Sequence, residues 1–169
     1  MTGKFEGQKL NFISRINKRA NMKTLDQWLV EYSVSHQHPT NKQIHNICVP
    51  LIMFSVLGLV WSIPTPELFQ NSMLLNWSVF FSTICMIFYF SLGISTGLLM
   101  LAFLVPMLVG VYALDSFGLS VLWISVVVFV VSWVGQFIGH KIEGKKPSFF
   151  HDIQFLLIGP LWVFRKVVS

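Results

Sequence analysis

Leu119-Ser-Val-Leu-Trp-Ile-Ser-Val-Val-Val-Phe-Val-Val-Ser-Trp-Val-Gly-Gln-Phe-Ile138 runs for twenty residues without a charge. Its Val and Ile content would suit a strand in water. About 20 apolar residues, however, is the length that crosses a bilayer as a helix. Backbone in hydrocarbon must also satisfy its own hydrogen bonds, which an isolated strand cannot do. Three more apolar blocks precede it: Ile47 to Ile63, stopped by Pro64-Thr-Pro66; Leu74 to Phe90; and Leu98 to Leu114, which follows the small-residue stretch Ser91 to Gly97. The second and third are joined by a weakly polar link, so a single re-entrant hairpin is the alternative to two full spans.

Composition agrees with the blocks. Of 169 residues, 54% are hydrophobic and 11% charged, against about 25% charged in soluble domains. That leaves too little polar surface to coat a globule, so a soluble single-domain protein is excluded. The two Cys, Cys48 and Cys85, lie in apolar stretches and do not make a disulfide-stapled secreted domain. The expected fold is all-α: a polytopic membrane bundle of about four transmembrane helices, with an N-terminal amphipathic helix and a short C-terminal interfacial or re-entrant helix. The amphipathic helix is read over Met22 to Ser35 from the spacing of Leu25, Trp28, Leu29 and Tyr32. The C-terminal helix is read over Phe155 to Phe164, too short to span. Residues 1–21 form a polar basic tail without the apolar core of a signal peptide, and 22–169 form a single membrane-embedded catalytic domain.

All twelve Lys and Arg lie before the first block or after the last, while the links Pro64 to Met73 and Asp115 to Gly118 carry only acidic charge. The positive-inside rule then places both termini in the cytoplasm and requires an even number of spans. The net charge of +5 is accounted for by this arrangement. No nucleic-acid partner is expected, because the basic residues lack aromatic interleaving.

This topology gathers all five His at one membrane face: His36, His38 and His45 before the first span, His140 and His151 after the fourth. Pro39 disfavours helical geometry at His38 and ends the amphipathic helix. Thr40 with Gln43 reads as a capping box that starts the next one. On one unbroken helix His36 and His45 would point apart; the break lets them face each other. Ser132, Gln136, His140 and Glu143 are spaced four, four and three, a polar stripe on an apolar helix. Ionisable groups at membrane depth face an interior or a cavity, and Gly139 allows a neighbour to come close beside His140. Three imidazoles with a nearby carboxylate suit Fe(II), Zn(II) or Mn(II). Asn41, Gln136 and Glu143 are natural partners for the outward ring nitrogens, while Cys48 and Cys85 read as packing residues. No nucleophile elbow, phosphate loop or dinucleotide fingerprint is present.

The paired strings Tyr32-x3-His36-x2-Pro39-x-Asn41-x3-His45-x4-Pro50 and Gln136-x2-Gly139-His140-x2-Glu143-x3-Pro147 resemble the 2-hydroxy fatty acid dioxygenase family, over about residues 22 to 165. The resemblance implies an Fe(II)-dependent, oxoglutarate-independent α-oxidation. A 2-hydroxy fatty acid and O2 give the fatty acid one carbon shorter and CO2, as in the phytosphingosine (sphingolipid) breakdown of the fungal member. By motif, His36, His45 and His140 bind Fe(2+), and Glu143 is a further ligand or a base beside them. Tyr32, Asn41, Gln136, Lys141 and His151 are positions near ligand or substrate, and Lys42, Lys141, Lys145 or Lys146 would attract the substrate carboxylate. The family implies the endoplasmic reticulum for a eukaryotic chain, or the inner membrane for a bacterial one. Two other readings stand beside it: a haem-binding or electron-transfer membrane protein with two axial His, and a non-enzymatic transporter or scaffold. The second would call for polar groups near mid-span, where this chain has little beyond Ser and Thr.

Overall fold

The computed structural model describes residues 23–67, 75–146 and 155–168. All regular structure among them is helical. In chain order the helices are α1 (Leu25–Ser33), α2 (Pro39–Trp61), α3 (Trp77–Ser91), α4 (Ile94–Ser116), α5 (Val121–Glu143) and α6 (Phe155–Val168). The expected polar tail, residues 1–21, lies outside the described residues, as do Leu74, Pro147 and His151.

Helices α2, α4 and α5 each have 23 residues and are long and apolar enough to cross a membrane. At 1.5 Å per residue each measures about 34 Å. The fourth expected span is shorter. Helix α3 has only 15 residues, or about 22 Å, against a hydrocarbon core of about 30 Å. Its start is delayed because the Asn76 side chain caps it, accepting from the Ser78 N–H at 2.8 Å, so Leu75 stays outside the helix. Its end is fixed at Gly93, whose φ of +140° is open to glycine and strained for other residues. That turn joins α3 to α4 as a hairpin. The alternation of direction expected from the charges is retained. The Asn76 amide donates to the Trp61 carbonyl at 3.4 Å, and Trp61 Nε1 donates to Asp115 at 3.1 Å. The end of α2, the start of α3 and the end of α4 therefore share one face, and the start of α2 and the end of α5 share the other.

Two helix starts differ from the sequence reading. The capping box at Thr40 and Gln43 does not form. Pro39 sits at the first helical position, where its fixed φ is favourable, and His38 is the N-cap, accepting from the Thr40 N–H at 3.2 Å. A capping box does form on α1, between Thr24 and Gln27, which also trims that helix to Leu25–Ser33.

The main seam of the bundle joins α2 to α5. Gly58 backs onto Ser125, Gly135 onto Cys48 and Gly139 onto Asn41, contacts that a Cβ at the glycine would crowd. Gly135 and Gly139 are four residues apart on one face, the small-residue spacing that lets membrane helices approach closely. The expected short C-terminal helix is α6. It packs into the bundle: Ile158 and Leu161 are 0% and 1% exposed, against α1, α2 and α4. Phe164 stacks on Phe103 with centroids 3.9 Å apart. Tyr89 donates to the Leu157 carbonyl at 2.9 Å, beside the gap that Pro160 leaves in the helix's own bonding. The stretch of α6 from Phe155 to Phe164 carries no charge, and its basic residues Arg165 and Lys166 come only at the end, where Arg165 reaches Asp26 of α1.

Because Ser125 Oγ occupies the space a Cβ at Gly58 would need, Gly58→Ala is expected to destabilise the bundle by about 1–3 kcal/mol through overpacking. The check is the thermal unfolding midpoint in detergent, where an unchanged value would contradict the seam.

Candidate metal centre

Three histidines from three elements meet at the polar end of the bundle. His36 lies on the turn between α1 and α2, His45 on the second turn of α2, and His140 on the last turn of α5. Their exposures are 1%, 2% and 4%. Ring centroids lie 4.3 Å apart for His36–His45, 5.0 Å for His36–His140 and 4.9 Å for His45–His140. One nitrogen from each falls within 4.8 Å of the others. The break at His38-Pro39 thus has the consequence expected of it: His36 folds back over His45.

The His36 ring is aimed by its surroundings. His36 Nδ1 lies 2.7 Å from the Tyr32 carbonyl oxygen. A carbonyl can only accept, so Nδ1 carries the proton, and in the neutral ring Nε2 keeps its lone pair. Tyr32 also stacks on the His36 ring, centroids 4.1 Å apart and 12° from parallel, with Trp162 of α6 5.3 Å from the same ring. Burial raises the Tyr32 hydroxyl well above its ordinary pKa, so Tyr32 stays neutral across the physiological range. His140 sits on the helix that Gly139 brings against Asn41. Its Nδ1 is buried without a hydrogen-bond partner among the described residues, a state that costs about 1–3 kcal/mol unless something binds there.

Glu143, which the motif implied as a further ligand or a base beside the histidines, lies against the turn that carries His36. Its carboxylate accepts from the Gln37 and His38 backbone N–H groups, each at 2.8 Å, and from the Asn41 amide at 3.1 Å. It clamps the turn that carries His36 and is not among the groups that converge within 4.8 Å. Asn41, 0% exposed, bridges the clamp to the Ser35 carbonyl at 3.4 Å instead of meeting an imidazole. Gln136, on the same stripe as His140, is buried and lines the adjoining cavity. Lys141 is exposed, and neither it nor Lys42, Lys145 or Lys146 lines the cavity; Lys145 donates instead to the Val34 carbonyl at 2.7 Å. The convergence of these groups had a sequence signal. The approach of Trp162, Phe155 and Gly159 did not, because nothing in an apolar ten-residue run says which side of it meets a site.

The triad closes one end of a cavity of about 390 Å³, within the range of small-ligand sites. Its back wall is one face of α2, where His45, Val49, Ile52, Met53, Val56 and Leu57 follow one another. From His45 to Leu57 that wall measures about 18 Å. Beyond the histidines, its polar lining among the described residues comes from Tyr32, Tyr89, Ser82, Cys85, Gln136 and the indole of Trp133.

Three buried imidazoles in mutual reach, one with an orphaned nitrogen, fit a divalent transition metal. They do not fit a haem held between two of them, because axial rings lie on opposite faces of a porphyrin and cannot stand 4.3–5.0 Å apart. The structure defines a helical membrane protein with a three-histidine site at the head of an apolar cavity. Residues 22–169 match the model of the family described as 2-hydroxy-palmitic acid dioxygenase Mpo1-like, and the chain belongs to that family. It is 28% identical over 138 residues, 78% of this chain and 72% of the relative, to the 2-hydroxy-palmitic acid dioxygenase MPO1 of Saccharomyces cerevisiae. No solved structure matches.

Glu143→Ala is expected to free the turn without unfolding the bundle. Amide exchange at Gln37 and His38 should accelerate by roughly tenfold or more, as expected when hydrogen bonds to a charged group are lost. Protection in α4 should stay as it was, and hydrogen-exchange mass spectrometry reads both.

Proposed function

We propose that the chain is an iron-dependent dioxygenase that shortens 2-hydroxy fatty acids by one carbon. The observation that carries this reading is the seating of three buried imidazoles at the closed end of a long apolar cavity. Family membership and the activity named for the yeast relative support it. In balance, a 2-hydroxy acid and O2 yield the shorter fatty acid, CO2 and water.

His36, His45 and His140 would hold the ion, which when bound supplies a Lewis-acidic centre for the 2-hydroxy carboxylate and for O2. The remaining work falls to the chain's own residues. The face of α2 from Val49 to Leu57 binds the acyl chain and excludes water. The Gln136 amide is an uncharged donor at the head of the cavity, suited to the carboxylate or hydroxyl. Among the described residues no lysine or arginine lines the cavity, so within it the metal is the group that would neutralise the acid. Tyr32, Asn41 and Glu143 hold His36 and its turn in place. The basic face carrying the site is the cytoplasmic one by the positive-inside rule.

The test is metal analysis of protein purified without oxygen, wild type beside His36→Ala, His45→Ala and His140→Ala, followed by O2 uptake with 2-hydroxyhexadecanoic acid. The expected result is about one iron per chain, lost in each variant together with turnover. Stoichiometric zinc would point to hydrolytic or structural use. No metal under any loading condition would overturn the reading.

A further inference from the structure

Among the described residues, the cavity is roofed at its polar end and open along one side. The three histidines are nearly inaccessible. Tyr32 and Trp162 pack on His36. The turn above them is tied down by Glu143 and by the Lys145 contact to Val34.

The side wall is another matter. Helix α5 packs along α2 and meets α4 at one end, whereas α3 and α6 pack on α2 and α4. The two flanks of the cavity are therefore joined through α2 at the back, and a slot runs between α5 on one side and α3 with α6 on the other. The exposed residues of the lining are Phe81 at 37% and Leu156 at 44%, on the α3–α6 side of the slot, and the partly exposed ones on the α5 side are Phe129 and Trp133. All four are apolar. Phe129 and Trp133 bracket the middle of α5, which is long and apolar enough to span. At that depth what lies outside the slot is hydrocarbon, and an apolar rim there is in its preferred solvent.

We infer that the substrate enters sideways from the bilayer, its acyl chain passing between α5 and α3–α6 over the rim of Phe81, Phe129, Trp133 and Leu156. The identity of the ligand, a single-chain acid with a polar head, rests on the function proposed above; the route rests on the slot. A fatty acid is already dissolved in the membrane with its chain along the helices. It then keeps that chain in apolar surroundings throughout, whereas entry past the histidines would drag it through water and through a clamped roof.

The test uses the full chain in lipid nanodiscs, in a Cys48→Ala/Cys85→Ala background carrying either Phe81→Cys or Phe129→Cys. A bulky membrane-permeant methanethiosulfonate is attached to the new thiol and later removed with reductant. Two readouts run in parallel: O2 uptake with 2-hydroxyhexadecanoic acid, and the rate at which the radiolabelled acid binds. Attachment at either position is expected to slow binding and lower kcat/KM by about tenfold or more, with recovery on reduction and metal content unchanged. The same group on Val30→Cys, exposed on the outside of α1, should change neither. Unaltered binding after modification at both Phe81 and Phe129 positions overturns the lateral route, whatever the turnover. Blocked binding in a protein that never consumes O2 keeps the route and overturns the dioxygenase reading instead.

Discussion

The seam between α2 and α5 is the constraint on which the rest of this protein depends. His45 and His140 come from segments nearly a hundred residues apart, and they meet because two helices touch along their whole length. That contact needs small residues where side chains would otherwise hold the axes apart: Gly58 against Ser125, Gly135 against Cys48, Gly139 against Asn41. In lipid there is little hydrophobic drive between helices, so close packing must supply the attraction. The same glycine that brings the axes together at the polar end also leaves room for Asn41, and Asn41 joins the carboxylate that fixes the His36 turn. Packing and site geometry are one device here.

From that seam the site is built outward with few spare groups. Burying three imidazoles is unfavourable unless each nitrogen finds a partner. Tyr32 answers for one side of His36 through its carbonyl and its ring face. The unpartnered Nδ1 of His140 is the kind of cost that a bound cation removes. Below the triad the cavity holds almost nothing polar, so chemistry and binding are separated along one axis, with ligation at the head and apolar contact down the 18 Å or so of α2 that follow. Helix α6 completes the arrangement. Too short to span, it is buried among α1, α2 and α4, where Trp162 and Phe155 wall the site from the C-terminal end of the chain.

Much of this was legible in the residues. The charge-free run from Leu119 to Ile138 demanded a helix because backbone in lipid has no other partner. The placement of all basic residues outside the spans put the His segments on one face, and Pro39 broke the chain where His36 must turn back on His45. The Gly135-x3-Gly139 spacing was also available in the sequence and names the seam. Other features were not legible. Thr40 carries a good capping pattern, yet Pro39 takes the first helical position and His38 becomes the cap, because a fixed φ at the right residue outweighs a side-chain preference one position later. Leu74 to Phe90 has the hydropathy of a span, but its helix is bounded by an Asn76 cap and the Gly93 turn, which hydropathy does not register.

The sequence by itself determined the medium this protein lives in, the number of helices long enough to span it to within one among the described residues, and the chemistry available at one face. Those follow from local rules: the length of an apolar run, the placement of charge, the spacing of His. Only the tertiary structure decided where each group sits. Glu143 is a clamp and not one of the converging groups, because its carboxylate finds two backbone N–H groups and an amide before it can reach the triad. The lysines stay outside the cavity, α6 goes in, and the slot beside Phe81 and Phe129 stays open, because each depends on which helix packs on which. That is a property of contacts between residues far apart in the chain, and no window of sequence contains it.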